Sequence, residues 1–389
     1  MTEEEKKQLL SVMRCWIFGS GGIPFCSLDI SAQSALCRSA EECGLQCFFI
    51  WYAIRGGNRL PADYHDRFAK FYQAAAAREL PRQAALQKVT AILRENHIDY
   101  IPLKGSFLAN RVYPAPALRP RSDIDLLLRE ADLERTAAIF HRLGWTNHDE
   151  RMHTVHIPAL VSPGRNIMFE PHFGIFQPSP GTAKNTELWA AAVRHSDSGE
   201  FFLPPELVFL HAVDSALSDN LSMGMKPLID TTMVTAKFNL TNRMISAAAE
   251  KYCPAVRPQL FFTAFPELLG GDECGSAIPP EVTAAFRALP FTSGLNRADS
   301  YKILLARDYA TKSAVGKIFF FFGRLFAHPA DLRKRYGLGK KAFWRLPAYY
   351  AVDMIRKIRV FIAKTSDMTD DAMNEAAVRQ SILKEYLKK

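Results

Sequence analysis

Lys104-Gly105-Ser106 sets an ammonium, a residue without a side chain and a hydroxyl in a row, and after a spacer of sixteen residues comes Asp123-Ile124-Asp125. The first group suits an anion. Unpaired N–H groups at a helix start point outward, and glycine lets a phosphate approach the backbone closely. The second group suits a cation. In Asp123 to Leu128 the period-two pattern of a strand puts Asp123, Asp125 and Leu127 on one face and Ile124, Leu126 and Leu128 on the other. Carboxylates side by side repel, and a fold tolerates them most easily with a positive ion between them. Mg2+, which takes hard oxygen ligands and phosphates, is the natural candidate, with Mn2+ as the alternative.

A third carboxylate lies in Ile167-Met-Phe-Glu-Pro-His-Phe173, a strand pattern in which Glu170 and His172 share a face and Ile167, Phe169, Pro171 and Phe173 share the other. One side would rest on a core and the other line a cleft, so Glu170 is placed to complete a metal site and His172 to orient it, to contact a phosphate or simply to pack. Between the two main groups, the proline-rich stretch Tyr113 to Ser122 delivers Arg119, Arg121 and Ser122 just ahead of the aspartates. Either arginine could face a triphosphate, and Arg119 and Ser122 join the candidate nucleotide-binding set.

The elements that must position these residues are legible from periodicity and turn chemistry. Ile98 to Leu103 reads as a strand, with Pro102 confining it to an edge or a strand end, and Phe107 to Val112 reads as a helix. Asp132 can cap a helix with a buried stripe of Leu133, Ala137 and Phe140, and Gly144 supplies its stop. Residues 31–96 read as helical, with Pro81 marking a break between Tyr64–Leu80 and Pro81–Glu95. Pro204-Pro205-Glu206 opens a further helix. The expected class is α+β: a small mixed β-sheet core flanked by N-terminal and C-terminal helical regions. The expected division is a helical region at 1–96, an α/β core at 97–180, a helical domain at 181–330 and a basic, aromatic helical tail at 331–389.

Composition sets the outer limits. With 389 residues, 48% apolar and 23% charged, the chain can bury a sizeable core and is neither disordered throughout nor membrane-embedded. The nine-residue apolar run Ile318 to Phe326 is far short of the roughly twenty residues a membrane span needs. An acidic, polar start at Met1 to Lys7 lacks the pattern of a secretory signal, which points to the cytoplasm. Seven cysteines, five of them before residue 50 and none in a C-x-x-C pair, fit a reducing compartment and small buried hydrophobes better than zinc. A net charge of +9 favours anionic partners.

Other polar clusters read as structural. Phe18 to Gly22 is a flexible loop, because no D-x-D strand follows it. His141, His148, His153 and His156 match no zinc spacing and read as surface or packing residues. Lys226 and Asp230, four apart on a helix, read as an ion pair, with a nucleotide contact as the alternative, and His211 and Asp214 read as structural.

The ordered set of a glycine-serine turn, a D-h-D strand and a later acidic strand residue resembles the nucleotidyltransferase superfamily. The string Pro-Leu-Lys-Gly-Ser-Phe-Leu-Ala, then Leu-Arg-Pro-Arg-Ser-Asp-Ile-Asp-Leu-Leu-Leu, is similar to one branch of it, a poorly characterised bacterial nucleotidyltransferase-like family. That resemblance implies that Gly105 and Ser106 hold a nucleoside triphosphate, ATP first. It implies that Asp123 and Asp125 bind metal and that Glu170 is the third carboxylate, where the family often has Asp. The implied reaction is attack by an acceptor hydroxyl, on a small molecule, sugar or protein, at the α-phosphate with release of pyrophosphate. A non-catalytic nucleotide-binding accessory protein is the alternative. A nucleic-acid acceptor is the third reading, prompted by the ten Lys or Arg against two Asp in residues 331–364.

Overall fold

The computed structural model describes residues 2–148, 153–195, 200–218, 225–253, 258–270 and 278–288, with short pieces at 349–350, 378–379, 382–383 and 385–386. The chain divides into one unit formed by Met1–Gly294 with Tyr386–Lys389 and another formed by Leu295–Glu385. The first carries every element discussed below. The apolar run at 318–326 and almost all of the basic stretch at 331–364 lie outside the described residues.

Helices α1 (Glu3–Phe18), α2 (Ile30–Glu42), α3 (Gln46–Arg55) and α4 (Ala62–Glu95) come first. Local chemistry starts and stops α1: Thr2 and Glu5 form a reciprocal capping box, and Gly19 closes the helix at φ +74°. Helix α4 corrects the expected break, because it runs for 34 residues straight through Pro81. Proline removes one backbone hydrogen bond and crowds the carbonyl four residues earlier. Ala77 and Pro81 are both exposed, so that carbonyl belongs to the solvent side of the helix, where the missing bond costs least.

The sheet follows: β1 (Ile101–Pro102), α5 (Lys104–Arg111), β2 (Ile124–Leu127), α6 (Leu133–Arg142), β3 (Thr146–Asn147), β4 (Leu160–Val161) and β5 (Met168–His172). Its order is β1-β2-β5-β4-β3, with β2 and β5 parallel and the remaining pairs antiparallel. Parallel neighbours need a long crossover, and α6, β3 and β4 supply it. Strand β1 is shorter than the sequence suggests and sits at the sheet edge, which accommodates Pro102. Gly144 takes φ +81° just past α6. The stripe of α6 that is buried comprises Leu133, Thr136, Ile139 and Phe140.

One face of the sheet packs on α4 and α6. Ile124, Leu126 and Leu128 join Leu86, Val89 and Leu93 of α4, Ile139 and Phe140 of α6, and Phe169 of β5 in a single core cluster. Each fully buried aliphatic side chain of this kind contributes about 1.5–3 kcal/mol, so the register of β2 is strongly fixed. Slipping it by one residue would drive Asp125 into that core.

The helical part resumes with α7 (Asn185–Ala191), the hairpin β6 (Val193–Arg194) and β7 (Phe201–Phe202), and α8 (Pro205–Ser218), which opens where the paired prolines indicate. Then come α9 (Lys226–Phe238), α10 (Asn242–Tyr252), α11 (Gln259–Ala264), α12 (Pro266–Leu269) and α13 (Pro280–Arg287). The fold is α+β, with a small mixed sheet among helices. Among the described residues no helix is long and apolar enough to cross a membrane. Cys37 and Cys43 are buried, and burial pushes their thiols up to about 12.

Candidate functional site

Parallel pairing of β2 and β5 aligns Asp125 with Glu170 and Leu127 with His172. Three polar side chains from two strands therefore meet on the face away from the core. Asn185, at the start of α7, ties the strand ends together by donating to the carbonyls of Leu128 and Phe173.

Helix α5 starts at Lys104, ahead of the expected Phe107, because extended Leu103 is its N-cap and the Phe107 N–H reaches the Leu103 carbonyl at 3.2 Å. Lys104, Gly105 and Ser106 thus form the first turn, whose N–H groups have no acceptor within the helix. Two hydrogen bonds fasten this turn to β2: the Asp125 N–H donates to Ser106 Oγ at 3.2 Å, and the Leu103 N–H donates to the Asp125 carbonyl. Gly105 is a glycine for a reason the sequence does not reveal. A Cβ there would sit 2.8 Å from Arg121 Cβ.

Asp125, only 1% exposed, is the hub. Its Oδ1 accepts from Lys104 Nζ at 2.8 Å and contacts His172 Nε2 at 3.1 Å. Burial pushes its carboxyl up, but Lys104 and then His172 overwhelm that effect and hold it well below the usual carboxylate range. Glu170 Oε2 lies 3.5 Å from His172 Nε2, 3.9 Å from His156 Nε2 and 4.0 Å from Lys104 Nζ. His172 is fully buried, and its Nδ1 faces the Gly174 carbonyl at 3.3 Å. Burial disfavours its charge, yet hydrogen bonds to Asp125 and Glu170 outweigh this and raise its pKa. Asp123 stands just before β2 and is partly buried; burial, then repulsion from Asp125 and Glu170, raises its pKa.

Arg119 lies deeper than a phosphate ligand at a cleft wall would. Its guanidinium grips Asp230 of α9 through Nε to Oδ1 at 2.6 Å and Nη2 to Oδ2 at 2.7 Å, while Nη1 donates to the Pro120 carbonyl. Tyr113 Oη adds a bond to Asp230 Oδ1 at 2.7 Å. This corrects the expected Lys226–Asp230 ion pair, since Asp230 is satisfied by residues more than a hundred positions away. Lys226 starts α9; burial, then Arg119, lowers its pKa against the pull of Asp230, Asp123 and Asp125. Arg121 is buried against α4, with Nε on Glu79, Nη2 on Gln83 and Nη1 without a hydrogen-bond partner among the described residues. Ser122 is exposed.

His156 was not distinguishable from its neighbours in sequence. The structure pairs its backbone with His172 in an isolated bridge and brings the two rings to 5.0 Å. His211 is also buried near Lys104 and His172; burial first, then those charges, lower its pKa well below the ordinary value. No spacing signature announces either residue, because each reaches the site through tertiary packing.

Asp125, Glu170 and His172 form the group able to hold a metal ion among the described residues, with one ligand atom from each lying within 4.8 Å of the others. The donors fit a divalent cation. With Nδ1–H directed at the Gly174 carbonyl, a neutral His172 presents its Nε2 lone pair to Asp125 Oδ1, and two acceptors that close require a proton or a metal between them. Asp123 lies outside this group and acts on it through charge.

No curated protein and no solved structure matches the chain. The family model described as "Uncharacterised nucleotidyltransferase" matches residues 34–255, which span α4, the whole sheet and the helices through α10. The chain belongs to that uncharacterised nucleotidyltransferase family.

Proposed function

We propose that this protein transfers a nucleoside monophosphate from a nucleoside triphosphate, ATP first, to a hydroxyl acceptor and releases pyrophosphate. The observation that carries this reading is the register of β2 on β5, which sets Asp125 beside Glu170, with the first turn of α5 fastened to β2 at Asp125. The N–H groups of Gly105 and Ser106 would bind phosphate oxygens, aided by the α5 dipole. Asp125, Glu170 and His172, with Asp123 beside them, would hold Mg2+ or Mn2+. When bound, such an ion supplies charge neutralisation at the transferring phosphoryl group and lowers the pKa of a bound hydroxyl. Glu170, the most open of the three at 16% side-chain exposure, would orient the acceptor hydroxyl and accept its proton. Lys226 would face the negative charge that develops on the leaving pyrophosphate.

Incubation with Mg2+, α-labelled triphosphates and a panel of hydroxyl acceptors should give labelled product with wild type and none with Asp125→Asn. Equal labelling by the two would sink the reading. A second reading is favoured by one observation: Lys104 and His172 already satisfy Asp125 without any added ion. A nucleotide-binding accessory protein would show triphosphate-dependent thermal stabilisation with no pyrophosphate released.

A further inference from the structure

An ammonium already stands at the mouth of the carboxylate cluster. Lys104 Nζ lies 2.8 Å from Asp125 Oδ1 and 4.0 Å from Glu170 Oε2. His172 Nε2 approaches the same two oxygens at 3.1 and 3.5 Å. Asp125, Glu170 and His172 each offer one ligand atom within 4.8 Å of the others, and a divalent cation that took the oxygens facing His172 Nε2, at about 2.0–2.2 Å from each, would take the oxygens that Lys104 faces. An ammonium and a metal ion cannot both sit against Asp125 Oδ1, because like charges that close repel strongly in a partly buried site.

We infer that Lys104 is the resident counter-ion of this cluster and is displaced when a divalent cation binds, its ammonium passing to the phosphates at the start of α5. This rests on the function proposed above and adds a coupling to it: metal and triphosphate bind cooperatively, through one side chain. Three features support the exchange. The Lys104 side chain is 35% exposed whereas that of Asp125 is 1% exposed, so the cation has a way out and the anion does not. The second partner is adjacent, since Gly105 and Ser106 follow Lys104 in the first turn of α5, within the sweep of a flexible four-carbon stem. Finally, Lys104 holds φ at +42°, a left-handed conformation that residues with a Cβ rarely keep unless the surroundings impose it, as they do at switch and ligand sites.

Mn2+ binding to the full-length protein, followed by the electron paramagnetic resonance signal of free Mn2+, tests the inference without reference to turnover. Lys104→Met keeps the apolar stem and removes the charge; Lys104→Gln repeats the test should the first variant not fold. The expected result is Mn2+ bound at least about tenfold more tightly than by wild type in the absence of nucleotide. Lys104→Arg should bind no more tightly than wild type. A non-hydrolysable triphosphate should strengthen Mn2+ binding to wild type and do so far less in Lys104→Met. Equal or weaker Mn2+ binding by Lys104→Met would overturn the inference alone. Failure of wild type and Lys104→Met alike to bind Mn2+ would overturn it together with the metal-dependent reading.

Discussion

Replacing Asp230 with asparagine removes the charge from one end of a buried fork and leaves the other end in place. Arg119 and Asp230 are 6% and 5% exposed in their side chains and meet through two bonds of 2.6 and 2.7 Å. Burial by itself disfavours the Arg119 charge, and the adjacent Asp230 reverses this and raises its pKa. Without that carboxylate, a guanidinium that cannot shed its proton stays buried. Breaking such a pair from one side costs about 3–5 kcal/mol, a large part of the roughly 5–15 kcal/mol that keeps a domain folded. The double variant Arg119→Met/Asp230→Leu removes both charges and should recover most of the loss. What remains is the orphaned Tyr113 hydroxyl, whose bond to Asp230 Oδ1 is lost, at about 1–3 kcal/mol. Urea unfolding of wild type, Arg119→Met, Asp230→Leu and the double variant, followed by fluorescence and circular dichroism, gives the corners of the cycle, and the coupling between the two sites should exceed about 2 kcal/mol. Additive effects, or a loss below about 1 kcal/mol for Asp230→Asn, would mean that the pair behaves as an exposed one and does not hold the two segments together.

Three further perturbations probe the α5 turn, Asp214 and α4. Gly105→Ala would press a Cβ to within 2.8 Å of Arg121 Cβ; because Glu79 and Gln83 pin Arg121, chemical denaturation should show a loss of about 1–3 kcal/mol. Burial pushes the Asp214 carboxyl up from 3.8 to about 6, against the Gln177 N–H bond that lowers it. The folded state therefore retains a proton that the unfolded state releases, and stability falls as pH rises from about 4 to 6. Asp214→Asn should stabilise the protein at pH 8 by up to about 3 kcal/mol more than at pH 4, and parallel wild-type and variant melting profiles across that range would contradict it. Pro81→Ala restores the missing α4 hydrogen bond and removes the clash of the ring with the preceding turn, so thermal melting should show a gain of about 1–3 kcal/mol.

What the sequence discloses and what it conceals divide by distance along the chain. The alternation in Asp123 to Leu128, the stop at Gly144 and the start at Pro205 are set by neighbours a few residues away, and all appear in the structure. The same period-two logic puts Glu170 and His172 on one face, and the structure sets that face beside Asp125 by pairing β5 with β2. Even local rules fail where packing overrides them. Helix α4 absorbs Pro81, and the turn before α5 closes early because β2 fastens Ser106 and Leu103. Arg119 finding Asp230, Gly105 yielding to Arg121, and His156 reaching Glu170 are contacts between distant segments, and no periodicity encodes them. The i,i+4 spacing of Lys226 and Asp230 even points the wrong way, because a buried bidentate arginine is the stronger partner for a carboxylate.

The proposed nucleotidyl transfer takes place on the face built by Asp125, Glu170 and His172 beside the first turn of α5. Its most direct measurement is the identity of the phosphate released from ATP labelled separately at the α and γ positions, with Mg2+ or Mn2+ and a mixture of hydroxyl acceptors. Such transfer should leave α label in the acceptor and γ label in pyrophosphate in equal amount, with loss of both on chelation or in Asp125→Asn. Release of γ label as orthophosphate, or unchanged turnover in Asp125→Asn, would contradict it.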